Sequence, residues 1–166
     1  MKTLIVGTDN HRKEPIHKAL WPIPQGGSGD RLRRLVEEHL GRDYCAEDFV
    51  IDFARTNLYP MRRAPNGRGK KAADLDALAT VAFLSQVLEV RDIVLLGNRC
   101  LEAFNDAFEQ DLTWLESRVI ELPDGSIRRY WALPYPTPTG FAGQWYKDES
   151  NRQAASKLLG TLRNRA

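Results

Sequence analysis

Asp92-Ile93-Val94-Leu95-Leu96-Gly97 is the stretch whose reading decides the fold. Its apolar run, bounded by an acid and a glycine, has the length and β-branched content of a strand buried on both faces, as in a parallel sheet. Gly97 then permits a tight turn into a helix from Asn98 to about Phe108. Working outward, Thr3-Leu4-Ile5-Val6 repeats the pattern and stops at Gly7, giving a first buried strand with Asp9 at its end. Ser28 reads as the N-cap of a helix in which Leu32, Leu35, Val36 and Leu40 recur at helical spacing until Gly41 closes it. Residues 52–58 alternate as a second strand, ending at Asn57, and Ala72 to Leu88 reads as a long helix. Pro123-Asp124-Gly125-Ser126 between Val119–Leu122 and Ile127–Leu133 signals a hairpin. Pro134 to Gly140 is too rich in proline for helix or central strand, and a final helix runs from about Glu149 to Arg163.

Strands alternating with helices predict one α/β domain over residues 1–166, a three-layer α/β/α sandwich. Its central sheet is expected to be mostly parallel, with about four strands plus the hairpin. In such sheets ligands bind beyond the carboxyl ends of the strands. That rule selects Asp9, Asn57, Gly97 and the Pro134–Gly140 loop as the lining of one crevice.

Composition narrows the partners. Hydrophobic residues are 42% and charged residues 28% of the 166, ordinary for a globular chain. No apolar run approaches the roughly 20 residues of a membrane span, and Leu4-Ile5-Val6 is too short for a signal-peptide core. A cytoplasmic location without a membrane partner is therefore expected, and the chain is read as a monomer. Cys45 and Cys100 are most simply two buried thiols, a disulfide or a reactive thiol being the alternatives. Neither they nor His11, His17 and His39 stand at metal-ligand spacing, so no metal or cofactor is expected. Net charge is only +2, but Arg62, Arg63, Arg68, Lys70 and Lys71 crowd one Gly- and Pro-containing segment. Arg31, Arg33 and Arg34 form a second group, and Arg163 and Arg165 lie at the C-terminal end. Such runs are either a solvated face or a surface for phosphates.

Four pieces occur in order: Gly7-Thr8-Asp9-Asn10, Thr56-Asn57-Leu58-Tyr59-Pro60, Ile93 to Gly97 leading into Cys100, and Leu133-Pro134-Tyr135-Pro136-Thr137-Pro138. Together they resemble the uracil-DNA glycosylase superfamily, over nearly the whole chain. Gly7-Thr8-Asp9 is similar to the family's Gly-x-(Asp/Asn/Glu)-Pro motif, with Asn10 in place of proline. Pro22-Ile23-Pro24 through Leu32 resembles the segment before the first helix of the compact and iron–sulfur branches. Tyr135-Pro136-Thr137-Pro138 stands where the family has His-Pro-Ser-Pro or a relative. Without the cluster's cysteines, the nearer comparison is with compact, cluster-free, mismatch-type members.

The resemblance implies a monofunctional DNA glycosylase that hydrolyses the N-glycosidic bond of uracil or a related altered base, flipped out of single- or double-stranded DNA. The bond breaks through an oxocarbenium-like sugar and a departing base anion, and both need partners already in place. Asp9 is the candidate to stabilise the cation and orient a water; the plainer reading is a turn-capping aspartate. Asn57 offers a donor and an acceptor to a pyrimidine edge, or simply forms a turn. Tyr135 would donate its phenol proton to the leaving base in place of the family's histidine, and His11 is a remoter substitute. Trp21, then Phe53, are candidates to stack on the base, although core packing suits Phe53 as well. Ser28, Arg62, Arg63, Arg68, Lys70, Thr137 and Thr139 would contact DNA. Phe141 would wedge into the base stack, with Trp145 and Tyr146 as alternatives. The alternative function is a catalytically weak or inactive relative that binds a nucleobase or nucleic acid. An unrelated nucleotide-binding α/β protein would be expected to carry a Gly-x-Gly-x-x-Gly or P-loop motif, and neither is present.

Overall fold

A computed structural model describes residues 2–9, 15, 18–23 and 25–163. Asn10, His11, His17, Pro24 and Arg165, named above, lie outside the described residues. The chain forms β1 (Thr3–Asp9), α1 (Ser28–Leu40), α2 (Ala46–Asp52), β2 (Phe53–Tyr59), α3 (Lys70–Val87) and β3 (Asp92–Leu96). It continues as α4 (Gly97–Phe108), β4 (Ser117–Glu121), β5 (Ile127–Leu133), α5 (Gly140–Lys147) and α6 (Glu149–Leu162).

The five strands make one open sheet in the order β2-β1-β3-β5-β4. β2, β1, β3 and β5 are parallel, and β4 pairs antiparallel with β5 at the edge. The expected count of about four strands plus a hairpin becomes five because β5 is both the fourth parallel strand and one arm of the hairpin. The hairpin turn closes with Gly125 N–H on the Leu122 carbonyl at 2.8 Å, and Gly125 has φ of +82°.

Alternation along the strands builds a core on each face. Leu4, Val6, Ile93 and Leu95 pack with Leu78 and Val81 of α3 and Phe104 of α4. Ile5, Val94, Leu96 and Leu133 pack with Leu32 and Val36 of α1, Phe49 of α2 and Leu159 of α6. Helices thus cover both faces, as the apolar runs of β1 and β3 require. No described helix is long and apolar enough to cross a membrane.

Several boundaries differ from the sequence reading. Gly27 caps α1 and Ser28 is its first helical residue; Gly41 closes the helix in the left-handed region, at φ +62°. Asp52 ends α2 and does not begin β2; its carboxylate accepts from Tyr44 Oη at 2.9 Å and from Arg163 at 3.4 Å. α2 itself is too short to show a periodicity, and α5 follows directly on the proline-rich loop. Both cysteines are free: Cys100 is buried, but Cys45 is exposed, with Sγ 3.2 Å from Asp48 Oδ2 in the cap of α2.

Candidate functional site

β1 lies between β2 and β3, and the chain leaves it toward β2 on one side and returns to β3 on the other. The carboxyl ends of β1 and β3 are therefore the point where the winding reverses and a crevice opens. A cleft of about 560 Å³ lies there, within the roughly 300–1,000 Å³ typical of small-molecule sites. Thr8 and Asp9 from β1, Asn57 from β2 with Pro60 just beyond it, and Tyr135 to Pro138 from the loop after β5 form its floor and far wall. Lys18 to Trp21 and Gly26 to Gly29 at the start of α1 form the near wall, with Arg31.

Close backbone approaches hold these groups. A Cβ on Gly7 would sit 2.4 Å from Asn57 Oδ1, so the strand pairing of Gly7 with Asn57 leaves that amide lying over bare backbone. Gly97, at φ +88°, supports Tyr135 from below: a Cβ there would meet the Tyr135 Cβ at 3.4 Å. Gly29 is packed against the Leu20 and Trp21 carbonyl oxygens, each 2.3 Å from where its Cβ would be. Trp21 is thereby fixed at the mouth of α1, its ring 5.2 Å from the Arg55 guanidinium carbon. Burial pulls the Arg55 guanidinium below its ordinary value.

Asp9 Oδ2 accepts the Ala64 N–H at 3.0 Å, tying the end of β1 to the basic loop. One residue on, the Pro65 carbonyl accepts from Arg99 at 2.5 Å, and Arg99 pairs with Asp74 at 3.0 Å. Tyr59 Oη donates to the same Asp74 carboxylate. Burial and that carboxylate together push the Tyr59 phenol up. The loop is therefore anchored at its middle by a buried network.

The structure brings Asp9, Asn57, Tyr135, Trp21, Ser28 and Thr137 into one cleft. Phe53 is not there. It shares a sheet face with Asn57, but four residues at about 3.3 Å each set it some 13 Å lower, fully buried at 0% exposure against Phe49. A ring with no exposed face cannot stack on a ligand. Gly97 lies beneath Tyr135 and outside the cleft lining. Arg62, Arg63 and Arg68 are exposed on the loop, Arg62 with its guanidinium over the Tyr59 ring at 5.6 Å. Lys70 starts α3, its Nζ 3.4 Å from Glu102. Thr139 caps α5, and Phe141, 61% exposed, stands on its first turn. Trp145 and Tyr146 are half-buried against the core, and Tyr146 Oη donates to the Pro134 carbonyl at 2.6 Å. Burial pushes that phenol up. Sequence reasoning named Trp21 and Ser28 on the near wall but missed Gly29 that supports it, although Gly26-Gly27-Ser28-Gly29 at the start of a helix is a visible signal.

Among the described residues no three His, Cys, Asp or Glu side chains are grouped to hold a metal. No family model and no curated protein matches the chain.

Proposed function

We propose that the chain is a DNA glycosylase of uracil-DNA glycosylase type, acting as a monomer and hydrolysing the glycosidic bond of uracil or a related altered base. The observation that carries this reading is the convergence of Asp9, Asn57 and Tyr135, from three separate strand ends, on one cleft of base-accommodating size.

Asn57 gives a pyrimidine edge one donor and one acceptor from a side chain fixed by its packing over Gly7. The base stacks on the cleft-facing side of Trp21, whose ring Arg55 steadies. Asp9 lies toward the sugar, its carboxylate oriented by the Ala64 N–H, and there stabilises the cation and positions the attacking water. Tyr135 donates to a carbonyl of the leaving base, dispersing the charge it acquires. Phe141 and the exposed arginines of the 60–69 loop meet the DNA on either side of the opening.

The test incubates the protein with oligonucleotides containing uracil, hypoxanthine, hydroxymethyluracil or a mismatched thymine, then cleaves abasic sites with alkali. Expected are breaks at one or more of these bases, reduced at least about 100-fold in Asp9→Asn. That variant keeps an oxygen for the Ala64 N–H, so its loop stays in place. Breaks that persist in Asp9→Asn would remove Asp9 from the mechanism. Binding without breaks on every substrate would favour the non-catalytic reading, to which Tyr135 in place of histidine already points.

A further inference from the structure

Arg55 stands in β2 two residues before Asn57, on the same face of the sheet, and is half-buried. Little holds its charge there. Nε reaches the Phe53 carbonyl at 3.4 Å and Nη1 the Ala19 carbonyl at 3.5 Å, both beyond the roughly 2.7–3.2 Å of a sound N–H···O bond. Among the described residues no carboxylate pairs with it, and burial alone lowers its value. Arg33 and Arg99, also drawn into the fold, meet Asp30 and Glu37 in the one case and Asp74 in the other. A guanidinium stays charged near neutral pH even when its value is lowered. β2 therefore carries a positive charge that is partly stripped of water and unneutralised, where an apolar side chain of similar length would fold as well. A perturbed charge beside a cleft, with no structural gain from being there, is the mark of a functional group.

The Arg55 guanidinium carbon lies over the Trp21 ring, 5.2 Å from its centroid. Trp21 lines the cleft and Arg55 does not, so the indole stands between the charge and the cleft. A base touching the other face of the ring, at about 3.5–4 Å, lies roughly 9 Å from the guanidinium carbon. An aromatic ring and not water fills that interval, so the field is screened far less than solvent would screen it. The departing base is where such a field acts. When the glycosidic bond breaks, its bonding pair leaves with the base, which is an anion until it takes up a proton. Tyr135, a neutral phenol, donates a hydrogen bond to that anion but brings no charge. A fixed cation favours the anion over the neutral bound base, so its effect falls on the transition state.

We propose that Arg55 is a positioning residue acting through Trp21: it holds the ring for stacking, and its uncompensated charge favours the stacked base as an anion. The identity of that base rests on the glycosylase reading; the charge and its place behind the indole do not.

5-Nitrouracil, whose ring proton is acidic and whose anion absorbs apart from the neutral form, reads the field without any excision. Bound to wild type it should be about tenfold more acidic than bound to Arg55→Met, and Arg55→Lys should restore most of the difference. Methionine keeps apolar contact with the indole, so Arg55→Met should be at least as stable as wild type in denaturant. In single-turnover excision from a single-stranded oligonucleotide, Arg55→Met should slow release of uracil about tenfold. Release of 5-fluorouracil, the better leaving group, should slow by about threefold or less. An arginine that only braced the ring would slow both alike. Equal slowing of the two bases, equal acidity of 5-nitrouracil on wild type and Arg55→Met, or its failure to bind overturns the assignment, even if wild-type excision keeps the glycosylase reading intact. If wild type excises neither base yet shifts the acidity of 5-nitrouracil through Arg55, the positioning role stands and the glycosylase reading falls.

Discussion

Between Gly7 and Asn57 there is space for a hydrogen atom and for nothing larger. The contact there is the end of a side chain, so the strain of Gly7→Ala is relieved by swinging Asn57 away and not by moving backbone. The expected result is a loss of about 1–2 kcal/mol in denaturant unfolding, with base excision or base binding reduced more than about tenfold. Gly29→Ala makes the contrast. Its Cβ would meet two main-chain carbonyl oxygens at 2.3 Å, which cannot swing aside, and unfolding should show about 3 kcal/mol or more lost. At this scale the sequence showed which residue types stood at strand ends, because Gly7, Asn57 and Gly97 follow the apolar runs directly. It did not show depth: Phe53 and Asn57 share a face by alternation, and only the register places one in the core and the other at the rim.

At the scale of elements, α1 depends on a single buried acid. Asp30, in its first turn, accepts the Gly26 N–H at 2.9 Å and pairs with Arg33 and Arg34 at 3.2 and 3.0 Å. Burial works to raise its carboxyl, but the Gly26 hydrogen bond and the two arginines outweigh it and hold the group below the ordinary 3.8. A carboxyl whose folded value is depressed contributes stability in full above its unfolded value and loses it as pH falls through the folded one. Wild type should therefore lose stability on acidification below about pH 4. Asp30→Asn should start about 1–2 kcal/mol lower at neutral pH and show less of that loss, as denaturant midpoints measured from pH 7 to pH 2 would reveal. The loop between β2 and α3 depends on a different acid. Asp74→Ala leaves Arg99 mostly buried without its carboxylate and Tyr59 without its acceptor. About 3 kcal/mol of stability should be lost, with faster hydrogen exchange at Ala64 and Asn66. The long elements were legible because α1, α3, β1 and β3 repeat their apolar pattern several times. α2 and α5 were not, since seven and eight residues give too few turns for a period to emerge and each is positioned by tertiary packing.

The whole molecule gathers its chemistry at one end because all four parallel strands finish there, while the charge that would draw in a polyanion is spread along the rim. Net charge of +2 predicts little attraction on its own; the distribution matters more. Arg62, Arg63 and Arg68 project from a loop whose backbone is held at Ala64 by Asp9 and at Pro65 by Arg99. They differ in how engaged they are. Arg62 already lies over the Tyr59 ring at 5.6 Å, whereas no such contact engages Arg63 or Arg68 among the described residues. Arg63→Gln/Arg68→Gln should thus lower the salt slope of DNA binding by about 2. The loss should be nearly the same for uracil-containing and plain oligonucleotides, since phosphate contacts position the strand without reading it. Asn57→Ala should do the reverse, leaving the slope unchanged and removing only the preference for the altered base. Titrations of both variants on both oligonucleotides separate the two roles. A slope that stays at the wild-type value in Arg63→Gln/Arg68→Gln would show that the loop faces solvent and that the strand enters from the α1 side alone.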